Sequence, residues 1–335
     1  MKCIKPLLAC CLALALVAQP LYAAIVFGGR ATNGTLDNSG TNKNPAPFNL
    51  GSYTGQHGGF LGTAISPTHY ITATHVGSGG NNGFFIYNDG GPNPIQYPVL
   101  QVATFNDLAI WRIDGPQTFT HWIHVYSGNN ETNLPLVTMG NGTTRGDPVN
   151  TPSTSNLAGW QWGGTGTLRS WGTNTVNSIV NPGLIGTFEG DYLYFTFNRI
   201  LDGNGNLMNP DGAVLSGGDS GGPTFILDPN DNQWKLAGIN SLVDQVSQTP
   251  NGSGFAAALF DARGFYDGEN LITGNDPVPL GSYATRISSR IDWVNSIAAV
   301  PEPGSIALVI GLAASGMGYG VYRRRQSKRL EDALV

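Results

Sequence analysis

Short apolar stretches alternate with turn-forming clusters through most of the 335-residue chain. Phe84–Tyr87, Ile95–Val102, Leu108–Ile113, Leu134–Met139, Tyr192–Phe197, Thr224–Leu227, Trp234–Ile239 and Phe255–Leu259 are the clearest of these runs. Their length, and their β-branched and aromatic side chains, predict strands. Between them lie clusters such as 88–92 (NDGGP), 202–206 (DGNGN) and 228–232 (DPNDN). Gly and Asn tolerate positive φ there and Asp bonds its own backbone, so these clusters predict turns. The 202–206 cluster begins like a calcium loop. Leu207 stands where such a loop needs Gly, and Ala213 where it needs Glu, so a plain turn is expected. The period changes once, near the end. Ile287, Ile291, Val294 and Ile297 share one helical face, predicting a helix over 287–298 with Ser288 or Ser289 at its start. There is no internal repeat, heptad or Gly-X-Y period, which excludes a solenoid, a coiled coil and collagen.

Two apolar runs at the ends are of another kind. Met1–Ala23 has Lys2 and Lys5 before a 12-residue apolar run, Leu7–Ala18, and ends on a cleavable Leu21-Tyr22-Ala23. The run is too short to span a bilayer, which needs about 20 residues, so 1–23 reads as a secretory signal peptide. At the other end, Val300-Pro301-Glu302-Pro303 precedes an apolar run over 304–321, then Arg323, Arg324, Arg325, Lys328 and Arg329. That run reads as a short membrane span with its basic tail in the cytoplasm. The order Pro-Glu-Pro, span, arginine cluster resembles the PEP-CTERM sorting signal of Gram-negative bacteria. The resemblance implies processing of 300–335 by an exosortase-type enzyme at the inner membrane. Delivery to the cell surface or extracellular matrix would follow. An ordinary single-span anchor is the alternative.

Composition sharpens this picture. The chain has 47 glycines, about twice the usual share, and 12% charged residues, about half of it. With 40% hydrophobic residues it still has enough for a core, so a disordered or linker protein is excluded. All three cysteines, Cys3, Cys10 and Cys11, lie within 1–23. An exported domain without them cannot form disulfides, and packing alone must hold it. Residues 24–300 carry ten basic and nineteen acidic side chains, net −9. Such a domain is a poor partner for nucleic acid.

The chemistry concentrates in a few strings. Gly218-Asp219-Ser220-Gly221-Gly222-Pro223 offers a serine on a tight turn. A nucleophilic serine needs such a turn, with the N–H groups of Gly218 and Ser220 free to face an oxyanion. It also needs a base, and five histidines are available: His57, His69, His75, His121 and His124. On a strand His121 and His124 would point to opposite faces, so no metal site is expected.

The segment Ser66–His75 (SPTHYITATH) decides among the histidines, because it resembles the "SPxxVLTAAH" segment of trypsin/chymotrypsin-like serine proteases. Phe60–Ser66 (FLGTAIS) resembles that family's "CGGTLIS" strand, and 106–110 (NDLAI) its "DIALL" motif. Tyr283–Ile297 resembles its C-terminal "YTRVxxxxDWI" helix. The likeness covers about 25–298. It implies an all-β fold of two six-stranded antiparallel barrels, roughly 24–128 and 129–285, followed by the helix. It implies a triad of His75, Asp107 and Ser220 acting through an acyl-enzyme on peptide bonds, with no cofactor. Gly218 and Ser220 would form the oxyanion hole. Val214 would floor the specificity pocket. Gly238–Val243 resembles the "GIVSWG" substrate-pairing strand, so Ser241, Leu242 and Val243 would line the site. Val243 in place of a Gly implies small or medium apolar substrate side chains. Phe60 and Val76 occupy disulfide positions and would pack instead. Ile25–Gly29 (IVFGG) resembles the family's "IVGG" start, so an Ile25 ammonium freed by cleavage after Ala24 would pair with Asp219. Cleavage after Ala23 would leave one extra residue. The competing expectation is a catalytically weak binding or matrix protein on the same fold, displayed at the cell surface.

Overall fold

The computed structural model describes residues 24–27, 49–78, 83–87, 94–152, 154–165, 169–181 and 190–298. The expected signal peptide, the expected sorting signal with its 304–321 span, Gly28-Gly29 and the 88–92 turn lie outside the described residues. Among the described residues no helix is long and apolar enough to cross a membrane.

After a short strand β1 (Ile25–Val26), six strands form the first layer of the fold: β2 (Thr54–His57), β3 (Phe60–Ala64), β4 (His69–Ala73), β5 (Phe84–Tyr87), β6 (Ile95–Phe105) and β7 (Leu108–Ile113). They close into an antiparallel barrel in the order β2-β3-β4-β7-β6-β5. The barrel closes around aromatic rings. Tyr70 stacks on Phe85 at 4.0 Å between centroids, and Tyr87, Tyr97 and Phe119 pack edge-on or tilted around them. Alternation decides this: every second residue of β5, Phe85 and Tyr87, points inward and is fully buried.

The second half holds β8 (Pro135–Gly140), β9 (Thr143–Asn150), β10 (Leu157–Thr165), β11 (Ser170–Thr175), β12 (Ser178–Val180), β13 (Tyr192–Thr196), β14 (Ala213–Val214), β15 (Pro223–Asp228), β16 (Gln233–Val243), β17 (Ala257–Leu259), β18 (Tyr266–Asp267), β19 (Asn270–Leu271) and β20 (Gly281–Arg286). A 3₁₀ turn, Ser288–Arg290, leads into the helix α1 (Ile291–Ala298). The helix expected over 287–298 is therefore present, with its first turn wound as 3₁₀.

Among the described residues the second half forms a half-barrel and not the second closed six-stranded barrel that was expected. A seven-stranded sheet, β11-β8-β15-β16-β20-β13-β12, makes a half-barrel, and β17-β10-β9 is a separate three-stranded sheet. The sheet ends at β11 and β12, while β8 is paired on both sides, to β11 and β15. Between β8 and β9 the Gly142 and Thr143 amides donate to Asp219 Oδ1 at 2.8 Å and Ser216 Oγ at 2.9 Å. Side chains of the serine-bearing turn thus satisfy this part of the backbone.

One core cluster joins the two halves. It packs Leu61, Ile71 and Ile110 of the barrel against Val137, Met139, Phe225, Leu236 and Ile239 of the half-barrel, and against Val294 and Ala298 of α1. Eight residues make too short a helix to persist alone, so α1 owes its stability to this packing. Val76 belongs to the same cluster, and Phe60 packs against that cluster.

Candidate active site

Asp107 sits in the turn between β6 and β7, reached through Asn106 at φ +51°. Its carboxylate is fully buried. His75 occupies the 3₁₀ turn Thr74–Val76 directly after β4. Because β4 pairs with β7 in the register Ala73↔Leu108, these two turns emerge side by side at one barrel end. Thr74 N donates to Asp107 O at 3.0 Å. His75 N donates to Asp107 Oδ1 at 3.1 Å, and His75 Nδ1 lies 2.8 Å from Oδ1 and 2.9 Å from Oδ2. Ser241 Oγ donates to Oδ2 at 2.5 Å. A carboxylate only accepts, so the proton in this contact is carried by His75 Nδ1. The His75 side chain keeps 25% of its surface open while the Asp107 side chain keeps none. A buried carboxylate is costly unless hydrogen-bonded, and these four donor contacts meet that cost.

His57 braces the same turn from behind. It is buried between Tyr70 OH, which donates to Nδ1 at 2.9 Å, and Gly77 O, which accepts from Nε2 at 2.8 Å. Gly77 is the residue that closes the His75 turn. Burial pushes the His57 imidazole below its usual range, so it stays neutral.

Ser220 lies half-buried on a turn held from both sides. Asp219 N donates to Ser216 O at 3.2 Å and Gly222 N to Asp219 O at 3.2 Å. Gly221 N and Asn240 O, with Asn240 N and Gly222 O, link this turn to β16 at 2.9 and 2.8 Å. The Asn240 side chain is itself fixed, donating to Met139 O at 2.7 Å and accepting from Thr224 at 2.8 Å. Gly221 has φ +75°, and a β-carbon on it would lie 2.3 Å from Thr72 Oγ1 and 2.6 Å from Leu61 O. Only glycine lets the turn press this closely onto β3 and β4. Ser220 is thereby brought to the strand that runs into His75. Among the described residues, neither the Gly218 nor the Ser220 amide has an acceptor within the chain.

Beside this turn is a cavity of about 410 Å³. Gly218, Ser220, Ser241, Leu242 and Val243 line it, as do Trp162, Leu215, Ser216 and Gln245. Val214, expected as the pocket floor, is elsewhere. It pairs with Ile25 through β14 and β1 and is buried with Phe27, Phe197 and Phe260. That pairing turns Val214 into the core and leaves its neighbour Leu215 at the cavity. Apart from Asp219, every residue lining the cavity is uncharged.

Asp219 does not offer a free charge to this cavity. Its side chain is buried and accepts from Gly142 N at 2.8 Å, Ser216 N at 2.6 Å and Ser216 Oγ at 3.0 Å. The Ala24 amide donates to it as well. The expected partner was the Ile25 nitrogen. The structure places Ala24 there instead, because the Ile25 side chain is fully buried and its backbone pairs with Val214. Burial pushes the Asp219 carboxyl up to about 6, against the lowering effect of these donors.

The remaining candidates fall outside the site. Asp202 binds the amides of Asn204 and Asn206, both at 2.8 Å, closing the expected turn. His121 and His124 lie in irregular chain, not on a strand as their spacing assumed, and His124 O accepts from Leu236 N at 3.0 Å. Among the described residues no group of three or more His, Cys, Asp or Glu is placed to hold a metal. Other residues of the site escaped the sequence reading. Trp162, Leu215, Ser216 and Gln245 line the cavity, Asn240 fixes the serine turn, and Arg290 reaches the Asp107 turn. Asn240 and Arg290 stood inside strings the sequence singled out, but with no role of their own.

Neither the protein-family models nor the curated proteins match this chain.

Proposed function

We propose that this chain is an exported serine endopeptidase of chymotrypsin-like fold. The observation that carries the reading is the Asp107 carboxylate, sealed from solvent and bonded to His75 Nδ1, together with a serine turn whose Gly218 and Ser220 amides have no acceptor among the described residues. In this reading His75 Nε2 takes the Ser220 hydroxyl proton as Oγ attacks a scissile carbonyl. Asp107 holds the tautomer and stabilises the imidazolium. The Gly218 and Ser220 amides receive the oxyanion. His75 then protonates the departing amine, and water, activated by the same imidazole, releases the acyl group. Leu215, Leu242, Val243 and Trp162 at the cavity favour a small or medium apolar side chain before the cleaved bond. The same proposal has 1–23 direct export and 300–335 direct an exosortase-type processing step at the inner membrane, ending at the cell surface.

The test is labelling of the purified protein by a fluorophosphonate probe, beside Ser220→Ala. Labelling that needs Ser220 is expected. A folded protein that does not label, or labels equally without Ser220, overturns the protease reading and leaves the binding or matrix protein.

A further inference from the structure

The turn that carries Asp107 is held from a second direction, by a residue at a variable position of the Tyr283–Ile297 string. Arg290 closes the 3₁₀ turn before α1 and is buried. Its Nε donates to Asn106 Oδ1 at 3.1 Å. Its Nη1 donates to Arg286 O at 2.7 Å, Ser289 Oγ at 3.1 Å and Asp191 O at 3.4 Å. Gly190 leaves the space for this fork, since a β-carbon there would lie 1.7 Å from Arg290 Nη2. One guanidinium therefore ties the α1 entry and the start of β13 to the residue preceding Asp107.

Asn106 holds the left-handed conformation at φ +51°, which a non-glycine residue adopts only at some cost. Its side-chain oxygen accepts from Arg290 Nε. The charges of Arg290 and Asp107 are close enough to act on each other and on the Tyr192 hydroxyl. Asp191 and Arg286 are the other charged groups acting on Arg290. We propose that Arg290 is a positioning residue: through Asn106 it fixes the turn that aims the Asp107 carboxylate at His75. This inference rests on the protease reading for its functional consequence, but not for its geometry. The planar fork is what matters, because it satisfies Asn106 and two backbone carbonyls at once. A lysine ammonium in the same place keeps the charge and cannot make that set of bonds.

The experiment follows the His75 Nδ1 proton by NMR in the full chain, assigned with His75→Ala, together with the rate of fluorophosphonate labelling. In the wild type the resonance is expected far downfield and slow to exchange. Arg290→Met and Arg290→Lys are both expected to move it upfield, speed its exchange and slow labelling about tenfold, the size of one lost bond near a charged group. Asn106→Gly tolerates the turn conformation and keeps Arg290, and is expected to do the same without unfolding the protein. If the folded Asn106→Gly and Arg290 variants keep the wild-type resonance and rate, the inference is wrong. Full rescue by Arg290→Lys also overturns it. If the wild type does not label at all, the protease reading fails, and the resonance alone still decides the role of Arg290.

Discussion

Ser241 Oγ donates to Asp107 Oδ2 at 2.5 Å, across the join between the closed barrel and the half-barrel. The bond makes the orientation of Asp107 depend on β16, an element of the other half of the fold. Hydrogen bonds to charged groups are worth about 1.5–3 kcal/mol. Ser241→Ala should therefore lower kcat/KM about 10- to 100-fold if the whole bond is felt in the transition state. In the proposed protease the loss should appear mainly in kcat, because this hydroxyl donates to Asp107, although Ser241 also lines the cavity. Steady-state kinetics on a peptide ester would read it, and an unaltered kcat in Ser241→Ala would argue that β16 leaves Asp107 alone.

Gly221 is the point of closest approach between the serine turn and the barrel. Gly221→Ala meets both a φ of +75° and backbone at 2.6 Å. It should destabilise the protein by more than about 2 kcal/mol and abolish Ser220 labelling. Gly59→Ala is the control. A β-carbon at Gly59 meets nothing within 4 Å, so its effect should stay within about 0.5 kcal/mol. Urea unfolding of the two variants separates them.

The Asp219 carboxyl links stability to the N-terminus. With Ala24 in amide linkage, burial raises the carboxyl from 3.8 to about 6. The folded state then keeps a proton that the unfolded state releases in that interval. Stability therefore falls as pH rises from about 4 to about 6, by up to about 3 kcal/mol. Asp219→Asn removes this term, so its stability relative to wild type should improve across the same interval. A chain beginning at Ala24 has an ammonium at the position of that amide, which holds the carboxylate ionised. Its pH-dependent loss should be absent. Chemical unfolding at pH 4, 5, 6 and 7 on the extended and shortened chains measures the difference. Parallel curves would show that Ala24 does not act on Asp219.

Val243 sets the width of the cavity mouth in the proposed substrate site. Val243→Gly should raise kcat/KM for substrates with Phe before the scissile bond roughly tenfold relative to those with Ala, the scale set by one or two methylenes in an apolar pocket. A matched pair of peptide substrates tests it. An unchanged ratio would place the selective wall elsewhere, with Trp162 and Leu215 the next residues to vary.

Much of the fold was legible because alternation is a local signal. β5 and β7 were read from their own side chains, and the helical face Ile287, Ile291, Val294 and Ile297 marked α1. β9 and β10 were not. Thr143–Asn150 is largely polar and Leu157–Thr165 is interrupted by glycines, so neither shows a period. They are strands because β9, β10 and β17 hydrogen-bond to one another, and a pairing partner 100 residues away leaves no mark on the local pattern.

The site divides in the same way. Ser220 stood out in the sequence on its glycine turn, and His75 and Asp107 through strings that resemble family motifs. Their neighbours did not. Counting back from Ser220 chose Val214, and the β1–β14 pairing moved that side chain into the core. Counting from the IVFGG start chose Ile25, and the same pairing left the Ala24 amide facing Asp219.

By itself, the sequence determined that the chain is rich in β-strand, has a helix over 287–298, lacks disulfides in 24–300 and carries a serine on a glycine turn. Each of these follows from residues close together in the chain. Only the tertiary structure decided that the second half stays open as a half-barrel, that Ser241 and Arg290 converge on the Asp107 turn, and which residues line the cavity. The reason is physical. Backbone amides, buried carboxylates and guanidinium forks must find partners wherever packing places them, and at Gly142, Asp107 and Arg290 those partners came from distant parts of the chain.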